Sequence, residues 1–284
     1  MSHNPKSTPS MNLDSLNVAS ATSIDCTQSD SQSQSQSQSQ SDTYSETYFD
    51  ALYSDNSDPW QYQTRWYEKR KREMSLAVLP QAEYDNGIEL GCGNGVFSKL
   101  LARRCQALLS IDGNTQAVQL AKQRLGKSSH SKVIQGVIPH VLLSLDDALL
   151  QAYPLSDGAS ANKPPFDLIV ISEILYYLSP IDIDTVITWI KQNLAVGGTL
   201  LCCHWRYAID GFAMTGETVH QRLHRAFNVT NNEVDRSTVT HPIFTHPAFI
   251  HPAFTHQSQI VDSDFLLDVW QHSPKSVAMQ ENLI

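Results

Sequence analysis

The sequence predicts a doubly wound α/β fold, a mostly parallel seven-stranded sheet with helices on both faces. Three observations predict it. From Gly87 onward short apolar runs alternate with amphipathic stretches, a glycine-rich turn closes the first run and opens a helix, and the second run ends on Asp112. Alternation of this kind is how a parallel sheet is built, because each crossover needs a helix long enough to return the chain.

In chain order, the apolar runs place strands at 87–90, 107–111, 132–137, 166–172 and 199–205, with a closing strand at 264–270. Helices are expected at 96–105, 115–125, 140–153 and 182–194, the last stopping before Gly197-Gly198 as at a helix-to-strand turn. A further helix is expected at 217–227. Upstream of the sheet, 64–79 has helical composition, with Trp66, Arg70 and Met74 on one face and Pro80 marking its end. Lys69 to Arg72 then reads as a basic run, explained by a solvated face at least as well as by substrate binding.

Composition separates the domain from its flanks. Residues 27–42 are almost wholly Ser, Gln and Asp, which cannot offset the entropy of ordering, so 1–43 is expected to be a disordered tail. Aromatic residues begin at Tyr44, giving an amino-terminal helical lid segment over 44–80, a core over 81–207, and a carboxyl-terminal part of the same domain over 208–284. Within that last part His241-Pro, His246-Pro, His251-Pro and then His256 recur every five residues. The prolines exclude a helix or central strand, so a loop is expected over 241–256. The spacing matches no zinc pattern, and no metal is expected.

The net charge of −9 disfavours nucleic acid and anionic lipid as partners. No apolar run suits a membrane span, and five cysteines without a disulfide or zinc spacing suit a reducing compartment. A cytoplasmic protein with a small-molecule or oligosaccharide ligand is expected.

The turn after the first strand carries the cofactor expectation. Glu89-Leu-Gly-Cys-Gly-Asn-Gly95 puts glycines at Gly91, Gly93 and Gly95 around Cys92 and Asn94, letting a ligand approach the main chain. A dinucleotide loop wants its third glycine where this chain has Val96. An acidic Glu89 beside the loop suits a cationic methionyl group, which favours S-adenosylmethionine, with S-adenosylhomocysteine as product. Asp112, followed by Gly113, is placed to accept both ribose hydroxyls, while Asn114 is better placed than Asp112 to cap the next helix. Trp60, Trp66 and Tyr67 are expected as a lid over the cofactor. Gln135-Gly-Val-Ile138 stands where an adenine contact often lies and is given no role.

Several strings resemble one family: Asp58-Pro-Trp60, Arg65-Trp-Tyr-Glu-Lys-Arg-Lys71, the glycine loop, Leu100-Leu-Ala-Arg-Arg-Cys105, Ser172-Glu-Ile-Leu-Tyr-Tyr-Leu178, His204-Trp-Arg206 and Asp264-Phe-Leu-Leu-Asp-Val-Trp270. They are similar to nodulation protein S and its bacterial relatives, S-adenosylmethionine-dependent methyltransferases whose namesake N-methylates a deacetylated amino sugar of a lipo-chitooligosaccharide. The likeness runs from about Phe49 to Trp270. The resemblance implies amine methylation; the Ser/Gln tail and the His-Pro repeats depart from the family pattern.

Methyl transfer asks a protein to align a nucleophile and to exclude water, and an amine must attack unprotonated. Glu173, just past the fourth strand, is the first candidate to hold or deprotonate it. His204, at the end of the fifth strand, is the alternative base. Tyr176 and Tyr177 are candidates to wall the acceptor or face the sulfonium. An O-methyltransferase or a small-molecule methyltransferase on the same fold, a non-catalytic cofactor-binding scaffold, and a dehydrogenase already weakened by Val96 are the competing functions.

Overall fold

A computed structural model describes residues 46–126, 128–145, 166–228 and 254–273, with isolated positions beyond. All of these fall in the unit 40–284. The Ser/Gln tail, the end of the helix expected at 140–153 and His241, His246 and His251 lie outside the described residues.

Seven strands form one sheet in the order β3-β2-β1-β4-β5-β7-β6. They are β1 (Tyr84–Leu90), β2 (Cys105–Asp112), β3 (Ser131–Gln135), β4 (Phe166–Ser172), β5 (Leu194–Trp205), β6 (Phe254–Val261) and β7 (Phe265–His272). The first five pair in parallel; β7 runs antiparallel to both β5 and β6. Strand order reverses between β1 and β4, so the carboxyl ends of β1, β2 and β4 open a crevice there, where α/β sheets bind ligands.

The helices are α1 (Glu46–Asp55), α2 (Trp66–Ala77), α3 (Val96–Leu101), α4 (Thr115–Leu125), α5 (His140–Leu143), α6 (Pro180–Asn193) and α7 (Gly216–Phe227). Asn114 caps α4 by accepting from the Ala117 amide, as expected. Ser179 caps α6 with Pro180 in its first turn, and Thr215 with Thr218 closes a reciprocal cap on α7. One core cluster joins Ile88, Ile169 and Ile171 to the inner faces of α6 and α7; a second joins Leu108, Leu168 and Val170 to α3 and β7. Both faces of the sheet are therefore dry, as continuous apolar strands require.

Three expectations need correction. Helix α3 stops at Leu101 rather than Cys105, since the turn at Ala102–Arg104 is needed before Cys105 begins β2. Gly197-Gly198 does not end α6; the chain enters β5 at Leu194, and the pairing with β4 shifts register across the two glycines. The last histidine of the repeat is not in a loop, because His256 lies in β6, where the alternation of half-buried and exposed residues suits an edge strand. Helix α2 buries part of its charged run. Trp66 is 65% exposed, whereas Glu68, Lys71, Arg72 and Ser75 are buried. The basic run is a solvated face only in part: Lys71 meets Glu68 at 3.1 Å and Glu173 at 2.6 Å, and Arg72 lies 3.6 Å from Glu68, so the buried charges compensate one another.

Candidate active site

The loop from β1 to α3 is shaped by its glycines. Gly95 sits at φ +78°, and a Cβ there would come within 2.8 Å of the Ala121 backbone in α4. Only glycine lets α3 start this close to α4. Gly93, at φ +52°, directs its amide to Asp112 Oδ2 at 2.8 Å, while Asp112 Oδ1 accepts from the Asn114 amide at 2.9 Å. The carboxylate thus ties the β1 loop to the end of β2, and each oxygen keeps a lone pair for another donor. Burial raises the Asp112 pKa against these two bonds.

Asn94 is buried and fastens the loop to the segment before α2, donating to Asp58 Oδ1 at 3.1 Å. Asp58 in turn accepts from the Tyr62 and Gln63 amides. Asn114 donates to Asp50 of α1 at 2.8 Å. Above the loop stand Phe49, Tyr53, Trp60 and Tyr62, with ring centroids 5.6 to 6.2 Å apart. Two buried polar atoms here lack a hydrogen-bond partner, the Tyr53 hydroxyl and Asn94 Oδ1. A Cβ on Gly93 would lie 3.4 Å from that hydroxyl.

Glu89 is buried beneath the loop. Its carboxyl is 2% exposed and held by Ser98 Oγ at 2.5 Å and Ser110 Oγ at 3.2 Å. Burial, against those hydroxyls, pushes its pKa up to about 8. It braces β1 against α3 and β2.

At the end of β4, Glu173 is the hub. It occupies φ +60°, a strained position for a residue with a Cβ. Oε1 accepts from Lys71 Nζ at 2.6 Å and Tyr67 Oη at 3.3 Å; Oε2 accepts from Tyr176 Oη at 2.6 Å and the Trp205 amide at 2.8 Å. Burial raises its pKa, but Lys71 and the remaining donors outweigh it and hold the carboxyl below the usual range. Glu173 is a fixed anion with its acceptor capacity filled, which suits it to positioning more than to taking a proton.

His204 sits deeper, 0% exposed. Its Nε2 accepts from the Leu175 amide at 3.3 Å and its Nδ1 faces His220 Nε2 at 3.0 Å, so both ring nitrogens are engaged away from any acceptor. The two candidate bases are therefore structural neighbours of the site.

A family model described as nodulation protein S matches residues 50–145. Nodulation protein S of Rhizobium tropici is 32% identical over 146 residues, 51% of this chain but only 53% of that protein. The crystal structure of N-methyltransferase NodS from Bradyrhizobium japonicum WM9 is 25% identical with a TM-score of 0.52, covering 75% of this chain and 99% of that one. Its complex with S-adenosyl-L-homocysteine superimposes with a TM-score of 0.57 at 24% identity, over 80% of this chain and 97% of that one, a likeness of fold. The chain is thus similar to nodulation protein S over residues 50–145, and it spans about half the length of the Rhizobium tropici relative.

The family match covers the loop, Asp112 and the Asp58 tether and stops before Glu173 and His204. In this nodulation protein S-like chain the structure brings Gly91, Cys92, Gly93, Asn94, Gly95 and Asp112 together, with Gly113 accepting from Gln135 Nε2 at 3.3 Å. Trp60 joins the aromatic cover, but exposed Trp66 does not. Tyr67 turns to Glu173 and packs on Trp205 and Phe265. Asp58, Tyr53 and Lys71 were missed as site residues, although Asp58 and Lys71 both lie in strings that carry the resemblance.

His224, His256 and Asp268 bring ligand atoms within 4.8 Å of one another. All three side chains already have hydrogen-bond partners within the protein. The Trp270 indole, which can only donate, holds Asn228 Oδ1 at 3.1 Å, turning Asn228 Nδ2 to His224 Nδ1 at 3.0 Å. His224 Nε2 is met by Gln259 Nε2 at 3.2 Å and by Asp268 Oδ1 at 3.3 Å, so both ring nitrogens have partners within the protein. Among the described residues, no helix is long and apolar enough to cross a membrane.

Proposed function

We propose that this chain transfers a methyl group from S-adenosylmethionine to the free amine of an amino-sugar-containing oligosaccharide or glycolipid. The observation that carries the reading is the Gly93–Asp112 tie at the topological switch point, roofed by Tyr53 and Trp60. The residues present fit the cofactor. Asp112 retains a lone pair on each oxygen for the two ribose hydroxyls, and unpartnered Tyr53 Oη and Asn94 Oδ1 lie beside the loop. Val96, where a dinucleotide site wants glycine, weighs against a nicotinamide cofactor.

When bound, S-adenosylmethionine supplies a methyl carbon on a sulfonium, open to in-line displacement. The chain's own residues align and dry the site. Tyr48, Phe49, Tyr177 and Phe212 pack edge to face at 4.8 to 5.2 Å, an apolar wall that excludes water beside Tyr176 and Glu173. Since Glu173 is saturated and His204 engaged on both nitrogens, the acceptor amine binds after losing its proton to solvent. That the Bradyrhizobium japonicum relative is an N-methyltransferase supports an amine over a hydroxyl acceptor. The four described cysteines are unpaired thiols, which supports a reducing, cytoplasmic setting.

Matched chitooligosaccharides, one with a free terminal amine and one fully N-acetylated, are incubated with methyl-labelled S-adenosylmethionine and read by mass spectrometry. Label on the free amine alone is the expected result; label on a hydroxyl, or on neither compound, rejects the amino-sugar reading.

A further inference from the structure

A line of buried hydrogen bonds crosses the sheet behind the acceptor end. The Leu175 amide donates to His204 Nε2, His204 Nδ1 meets His220 Nε2, and His220 Nδ1 meets Asp268 Oδ2 at 2.5 Å. His204, His220 and Asp268 are 0%, 2% and 0% exposed. They come from three separate elements, β5, α7 and β7.

The proton positions follow from the ends. A backbone N–H can only donate, so His204 Nε2 is bare and the ring carries its proton on Nδ1. That N–H requires His220 Nε2 to accept, which leaves the His220 proton on Nδ1, facing Asp268. A proton on His220 Nε2 would oppose the one on His204 Nδ1. Each ring nitrogen thus has one role, set by a carboxylate at one end and an amide at the other. Burial, then His220 and Lys71, depress the His204 pKa, in keeping with a neutral ring. Asp268 is fixed on its other oxygen by His256 Nε2 at 2.5 Å, with His224 Nε2 at 3.3 Å.

What this line holds is the 3-10 turn Leu175–Tyr177. Its Tyr176 donates to Glu173, and its Tyr177 packs on Phe49 and Phe212. We propose that Asp268, His220 and His204 are positioning residues for methyl transfer, fixing the Leu175–Tyr177 turn and hence the acceptor wall. The proposal rests on the methyltransferase reading above. The line carries no proton to substrate, because it ends on an amide; its effect is on the alignment of the acceptor, to which displacement is sensitive.

Side-chain nitrogen NMR of histidine-labelled protein at neutral pH is the first test. His204 and His220 are expected as Nδ1–H tautomers, the less common neutral form in water; an Nε2–H tautomer at His204 overturns the proposal. Kinetics of two variants is the second. His204→Leu strands the Leu175 amide and is expected to lower kcat about tenfold or more, with affinity for S-adenosylhomocysteine within about twofold of wild type. His204→Gln puts an amide oxygen where Nε2 stood and is expected to recover most of that loss. Wild-type kcat in His204→Leu, or parallel loss of kcat and cofactor affinity in both variants, overturns it. If His204→Leu does not fold, the wild-type tautomers decide. Those tautomers are read without any acceptor, so failure of the methyltransferase reading would show separately in the transfer assay.

Discussion

Glu173→Gln tests the hub at the end of β4 with a change of one atom type. The carboxylate accepts four hydrogen bonds, from Lys71, Tyr67, Tyr176 and the Trp205 amide. Glutamine can keep its oxygen toward Lys71 and Tyr67, which turns its NH2 to Tyr176 and Trp205. The tyrosine hydroxyl can rotate to accept; the Trp205 N–H cannot, and an unsatisfied buried donor costs about 1–3 kcal/mol. Lys71 also loses the nearer of its two carboxylates. Breaking a buried pair costs about 3–5 kcal/mol when nothing replaces the partner, but Glu68 remains at 3.1 Å, which favours the low end. Because the two costs share one network they are not additive, and a loss of about 3 kcal/mol is expected, or roughly 6–12 °C in Tm for a domain of this size. Affinity for S-adenosylhomocysteine should be nearly intact, since Glu173 bonds to none of the loop residues or Asp112, while turnover should fall. Urea unfolding, titration calorimetry and labelled transfer read the three quantities. A variant within about 0.5 kcal/mol of wild type, with unchanged turnover, would refute the hub.

Four further outcomes follow from the same geometry. Gly95→Ala sets a Cβ 2.8 Å from the Ala121 backbone at a positive φ, so cofactor affinity should fall at least tenfold, read by calorimetry. Asp112→Ala removes the anchor of the Gly93 and Asn114 amides and of the ribose; at about 1.5–3 kcal/mol for a charged hydrogen bond, affinity should drop by one to two orders of magnitude in the same assay. Glu89 has a folded pKa of about 8, above the unfolded carboxylate range, so its stabilising share is full at pH below that range and is lost as pH rises towards 8. Glu89→Gln should therefore be more stable than wild type at pH 8 by a few kcal/mol, with the gap closing towards pH 5 in denaturant titrations. With both candidate bases engaged, the acidic limb of kcat/KM should track the acceptor amine's own pKa and move when the acceptor is changed.

The sheet was legible because its strands are buried on both faces and read as apolar runs, and 166–172 was read to the residue. The cofactor loop was legible because glycine is the only residue whose absence of a Cβ shows in sequence. What escaped depends on distant pairing. The inward turn of α2 was hidden because Glu68, Lys71 and Arg72 look like solvent residues until Glu173, a hundred residues on, neutralises them. The burial of Glu89 was hidden because nothing local announces that a carboxyl beside the glycine loop is closed off from solvent. Strand β6 was masked by the prolines just before it, and His204 looked available because its partners His220 and Asp268 come from α7 and β7.

The most direct test of the account is calorimetric titration of the wild-type chain with S-adenosylhomocysteine and, separately, with nicotinamide adenine dinucleotide. Saturable binding of the first at one site per chain, lost in Asp112→Ala, with no binding of the second, is the result the account predicts. Binding of the dinucleotide, or no binding of S-adenosylhomocysteine by folded protein, would contradict it.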